Sequence, residues 1–140
     1  MVLGDPASTY VRRRMISDRD RIRKIAEEWV HFTGLAVDSQ ERDSLVRVLD
    51  EVDDIIRLSP SGGWMFIEAV RRMNVDASLL SNLAAGPLED YLIVHGDAEI
   101  LRLENLAKQD RSLRELLGQT WKNSMSDEVW RRVQLAAKSG

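Results

Sequence analysis

The chain has 140 residues, enough for one domain that buries about 68–70% of the surface its unfolded form exposes. It has no Cys, which excludes disulfides, thiolate zinc sites and cysteine nucleophiles and favours a reducing compartment. A formal charge of −3 with 31% charged residues describes a mixed solvated surface and argues against a chain built mainly to hold nucleic acid.

Met1 to Tyr10, MVLGDPASTY, has neither a basic n-region nor a long apolar core, so it reads as a loose arm and not as a secretion signal. Val11 to Lys24 is the most basic stretch, with Arg12, Arg13, Arg14, Arg19, Arg21, Arg23 and Lys24. Ile22, Ile25, Trp29 and Phe32 recur at helical spacing, so these cations read first as the solvated face of an amphipathic helix over about Ser17 to Thr33. A phosphate-binding or partner-binding strip is the second reading. Residues 1–16 are accordingly expected as a flexible basic arm and 17–140 as a single all-helical domain.

Gly34 ends the first helix, and Asp38 with Glu41 supplies a capping-box start for the next. There Leu45, Val48, Leu49, Val52, Ile55 and Ile56 follow a clean helical stripe, with Asp43–Arg47 and Asp53–Arg57 expected as i,i+4 pairs. Pro60, Gly62 and Gly63 are expected to break the chain before a buried helix over Trp64 to Met73. Asp76 caps a short helix that carries Leu79, Leu80 and Leu83.

The stretch Leu83 to Gly96, LAAGPLEDYLIVHG, organises the rest. Gly86 as N-cap and Pro87 at the first helical position predict a sharp helix start, and His95 with Gly96 a sharp stop. Glu89 and Asp90 then answer the positive end of the helix dipole. After it, Asp97 is expected to cap a helix with Ile100, Leu103, Leu106 and Ala107 inward. Asp110 or Ser112 starts one with Leu113, Leu116, Leu117 and Trp121 inward, and Ser126 starts the last, with Val129, Trp130, Val133 and Ala137 inward. The fold class is therefore all-α, with seven or eight short helices stacked as antiparallel hairpins in a HEAT-like layer or an irregular bundle.

The LAAGPLEDYLIVHG segment, with Trp64 before it and Leu113 to Trp121 and MSDEVWRRV after it, resembles a bacterial family of small helical domains of unknown function marked by an Ala-Ala-Gly-Pro-Leu-Glu-Asp core. The resemblance spans roughly Leu45 to Val133 and implies a helical domain from a bacterial cytoplasm, without a mechanism, cofactor or catalytic residue.

Few residues carry chemistry. Glu28 and His31 have the E-x-x-H spacing of di-iron bundles, but no second pair exists, so no metal is expected. Asp50, Glu51, Asp53 and Asp54 project from different sides of one helix and read as an acidic surface for a partner, not as a cation site. Trp64, Glu89, Asp90, Tyr91 and His95 form the one constellation suited to a ligand; were Glu89 and His95 to share a cleft, they would serve as acid and base. No cofactor is expected.

Charge is unevenly spread: +1 for residues 1–40, −3 for 41–60, −4 for 61–100 and +3 for 101–140. The leading expectation is a non-catalytic protein–protein interaction module whose acidic middle meets a basic partner, with an immunity-like role as its special case by analogy. A small hydrolase or ligand-binding protein with a cleft near Trp64, Glu89 and His95 is the alternative, and nucleic-acid binding through the basic N-terminal helix the third reading. No run approaches the roughly 20 apolar residues of a membrane span, and a cytoplasmic location is expected.

Overall fold

Ser39, Ser59, Asp76, Asp110 and Ser126 each place a side-chain oxygen on the backbone N–H three residues later, at 2.8–3.1 Å. These five caps set most of the helix starts. The computed structural model describes the backbone of residues 6–139 and the side chains of residues 18–139. Its helices are α1 (Pro6–Thr33), α2 (Gln40–Leu45), α3 (Arg47–Leu58), α4 (Pro60–Arg71), α5 (Ala77–Leu83), α6 (Glu89–Gln109), α7 (Arg111–Leu117) and α8 (Asp127–Ala137), with a π turn at Ala84–Leu88. Among the described residues there is no strand. Nor, among them, is any helix long and apolar enough to cross a membrane.

The apolar stripes read from spacing form the core. Ile22, Ile25, Trp29 and Phe32 of α1 and Val48, Val52, Ile55 and Ile56 of α3 are all buried, each worth about 1.5–3 kcal/mol when a side chain of this kind leaves water completely. Leu49 and Leu106 lie off those stripes and stay partly in solvent. α1, α3 and α4 pack on one another, while α7 and α8 form a second group. The rod made of α5, the π turn and α6 lies between the groups: α6 touches α3 and α4 on one side and α7 and α8 on the other. In a repeat stack each layer meets only its neighbours. Here one rod serves both groups, so the arrangement is the irregular bundle.

That rod departs from the expected sharp boundaries. Residues 77–109 run on through Gly86, Pro87 and Gly96 without a stop. Proline lacks an N–H and its ring collides with the carbonyl four residues back, while the residue before it is driven from the helical region by its own Cβ. Gly86 has no Cβ, and the turn widens, with the Glu89 N–H reaching back to the Ala84 carbonyl. Gly96 is not a C-cap. It is buried against α8 where a Cβ would stand 2.8 Å from Cγ1 of Val129. Asp97 is consequently mid-helix and accepts from Ser126 Oγ at 3.3 Å.

Other boundaries shift for local reasons. α1 begins at Pro6 rather than Ser17, and the side chains of Arg12, Arg13 and Arg14 lie outside the described residues. Ser39, not Asp38, caps α2, leaving Glu41 to meet His31 at 2.7 Å. Val46 separates α2 from α3, so Arg47 pairs with Glu51 at 2.8 Å and Glu28 at 3.2 Å instead of Asp43. Gly62 and Gly63 lie inside α4, where a Cβ on Gly63 would sit 3.1 Å from the Tyr91 ring. α7 ends at Leu117, and Trp121, expected inward, stands in the following loop with 73% of its surface exposed.

Candidate functional site

α4 and α6 cross at Gly63, and the missing side chain there lets Tyr91 settle against α4. Trp64, Tyr91 and His95 come together as a row of rings, with centroids 5.5 Å and 5.4 Å apart. Tyr91 is fully buried and its hydroxyl accepts from Arg102 Nη2 at 3.0 Å. Burial pushes the phenol up to about 12, against the pull of that guanidinium. Arg102 also donates to Glu99 at 2.9 Å and lies 5.0 Å over the Trp64 ring. His95 Nε2 is 2.6 Å from the Ile56 carbonyl oxygen, and because a carbonyl only accepts, the ring donates there.

Glu89 points elsewhere. It is only 2% exposed; Oε2 accepts the Trp121 N–H at 3.1 Å and Oε1 accepts the Asn123 side-chain amide. Burial holds its carboxyl above the ordinary glutamate range, while these two donors and nearby Asp90 shift it less. Asn123 takes a left-handed φ of 44° to make that contact. Six residues apart at 3.6 per turn, Glu89 and His95 leave α6 on different sides. The acid–base pair is therefore not assembled: one group anchors the loop between α7 and α8, and the other fastens α6 to α3.

Asp90 takes a third direction. With Asp53 of α3 it lines a cleft of about 400 Å3, together with Trp29, Phe32, Gly86 and Pro87. Burial raises the Asp90 carboxyl above its ordinary value; Arg57 opposes this and Asp53 adds to it. Of the acidic surface on α3, Asp50 and Asp54 are exposed, Glu51 is bound to Arg47, and Asp53 accepts from Arg57 at 2.8 Å. The four carboxylates do not converge. Glu28 and His31 are likewise taken up by Arg47 and Glu41. Among the described residues no three His, Asp or Glu are placed to hold a metal ion.

Other grooves open on the surface, and two of them flank tryptophans. One of about 710 Å3 runs beside Trp64 and Arg102, floored by Ile22 and Met65, and includes neither Glu89 nor His95. The other, about 620 Å3, lies between Trp121 and Trp130, with Ala85, Leu117 and Ala137. Arg102 and Asn123 are the residues that sequence reasoning missed. Arg102 is eleven positions from Tyr91, three helical turns, and would share its face once the helix is read as unbroken.

Residues 35–140 match the model of a family described as a family of unknown function, DUF6869. The chain belongs to that family. No curated protein and no solved structure matches it. The matched region holds Asp53, the π turn, Glu89, Asp90 and the Trp121 loop, whereas the cleft walls Trp29 and Phe32 come from α1, ahead of it.

Proposed function

We propose that this DUF6869 domain is a non-catalytic protein-interaction module that docks through Trp121 and the groove beside it. What supports this reading is the use made of Glu89, the carboxylate best suited by sequence to act as an acid or base. Both its oxygens are spent on the loop that carries Trp121, and the indole is left 73% exposed at the rim of an apolar groove. Tryptophans held in a rigid frame beside such a groove are among the commonest energetic anchors of protein interfaces.

The acidic middle, Asp50, Glu51, Asp53 and Asp54, would draw in a basic partner. Arg47 and Arg57 offset two of these charges, so the surface acts on approach rate and salt dependence more than on contact energy. A bacterial cytoplasm suits a chain with no Cys, and neutralisation of a basic toxic partner is the narrower form of the same role.

The test is affinity capture from an extract of the native host, with wild type and Trp121→Ala as bait at two salt concentrations. One protein should be retained by wild type, less so at high salt, and lost with Trp121→Ala. The variant itself should keep its stability within about 0.5 kcal/mol, as exposed positions do. Equal capture by both baits would remove the reading.

A further inference from the structure

We infer that the cleft between α1, α3 and the π turn is a receptor for the guanidinium group of an arginine side chain on a protein partner. The cleft pairs two carboxylates with apolar walls. Leu49, Val52 and Ile56 line it alongside Asp53 and Asp90, which suits a side chain with an aliphatic stem and a cationic head. Gly86 lines it too, and among the described residues no atom from another part of the fold lies within 4 Å of where a Cβ would be, so the approach is open there.

Of the two carboxylates inside, Asp53 accepts from Arg57 Nε through Oδ1, but the half-buried Asp90 accepts no hydrogen bond from any described residue. Burial and the neighbouring Asp53 both work against its negative charge, and Arg57 opposes them, while Arg42, which also lines the cleft, lies against the Phe32 ring. A second guanidinium would answer that imbalance with donors in a planar fork that fits carboxylate oxygens. The cleft already stacks one such group: the Arg42 guanidinium lies 4.3 Å from the Phe32 ring centroid on its wall. Lysine has a point charge without a plane to stack, and a hard cation would find too few oxygens among these apolar walls.

This deepens the interaction reading, yet the two fail separately. A domain that captures its partner through Trp121 while ignoring guanidinium keeps the first and loses the second.

The probes are N-acetyl-arginine amide, N-acetyl-lysine amide and the neutral N-acetyl-norleucine amide, titrated into the 15N-labelled full chain. The arginine compound should shift the amides of Gly86 and Asp90 and the Trp29 indole with millimolar affinity. The lysine compound should bind several-fold more weakly and norleucine should leave these signals in place. Asp90→Asn should weaken arginine binding by at least about fivefold, the loss of one charge-assisted contact, and Asp53→Asn provides a second variant with the same expectation. No shift with arginine, equal shifts with lysine or norleucine, or undiminished binding in both folded variants would overturn the assignment.

Discussion

Gly96 of α6 and Val129 of α8 approach so closely that a Cβ on residue 96 would stand 2.8 Å from Cγ1 and 3.1 Å from Cγ2 of the valine. Carbon atoms in ordinary contact are about 3.5–4.0 Å apart, so the crossing of these helices depends on the glycine. Gly96→Ala should lower stability by about 1–3 kcal/mol, although alanine is about 1 kcal/mol better than glycine inside a helix. Val129→Ala removes the obstructing methyls. In the double variant the loss should therefore be clearly less than the sum of the two single losses, measured by denaturant unfolding of all four proteins. Additive losses would mean that the close approach is not what excludes a side chain at residue 96.

Arg71 binds α4 to the start of α7. Its side chain is 10% exposed and donates to Asp110 at 2.7 Å, to Ser112 at 2.9 Å and to Glu68. Asp110 also caps α7 through the Leu113 N–H. Burial disfavours the Asp110 carboxylate, but Arg71, the Leu113 N–H and Ser112 outweigh it and hold the pKa down to about 2. A depressed carboxyl stabilises the fold above its unfolded value, and that stability is lost as pH falls through the folded one. Wild type should therefore weaken between about pH 4 and pH 2 in a way that Asp110→Asn does not. Asp110→Ala should cost about 2 kcal/mol, part from the lost cap and part from one of the contacts of the Arg71 guanidinium, which keeps Glu68 and Ser112. A matching acid limb in Asp110→Asn would show that other carboxylates govern it.

Features set by neighbouring residues were legible in the sequence, and those set by distant ones were not. Asp76, Asp110 and Ser126 announce their helices because a cap acts on the N–H three residues away. The stripe of α3 was equally plain, since periodicity alone decides which face is apolar. Gly86-Pro87 and Gly96 carry the residue types of a start and a stop, yet packing on both sides of the rod keeps it helical through them. Glu89 looked like a first-turn acid because its partners are 32 and 34 residues further on. Trp121 continued an apolar spacing that α7 abandons at Leu117. Of the candidate site, Trp64, Tyr91 and His95 do meet; Glu89 and Asp90 turn away from them into separate surroundings.

Glu89 makes the loop between α7 and α8 sensitive to pH with a sign opposite to that of Asp110. Burial raises its folded pKa above the ordinary glutamate value. Between those two values the folded chain binds more protons than the unfolded one, so stability falls as pH rises through that window. Asp90 is raised as well and adds a slope of the same sign, which the comparison of wild type with Glu89→Gln cancels. The variant should show the smaller decline. Glutamine still accepts at one oxygen but turns an amide toward the second donor, so the amides of Trp121 and Asn123 should exchange faster with solvent while α6 stays protected. Glu89→Ala leaves both donors without a partner and should cost about 2–3 kcal/mol. Identical pH slopes in wild type and Glu89→Gln, with unchanged exchange at Trp121, would mean that the loop keeps its place without the carboxylate, and that Glu89 is not what holds the exposed indole in position for docking.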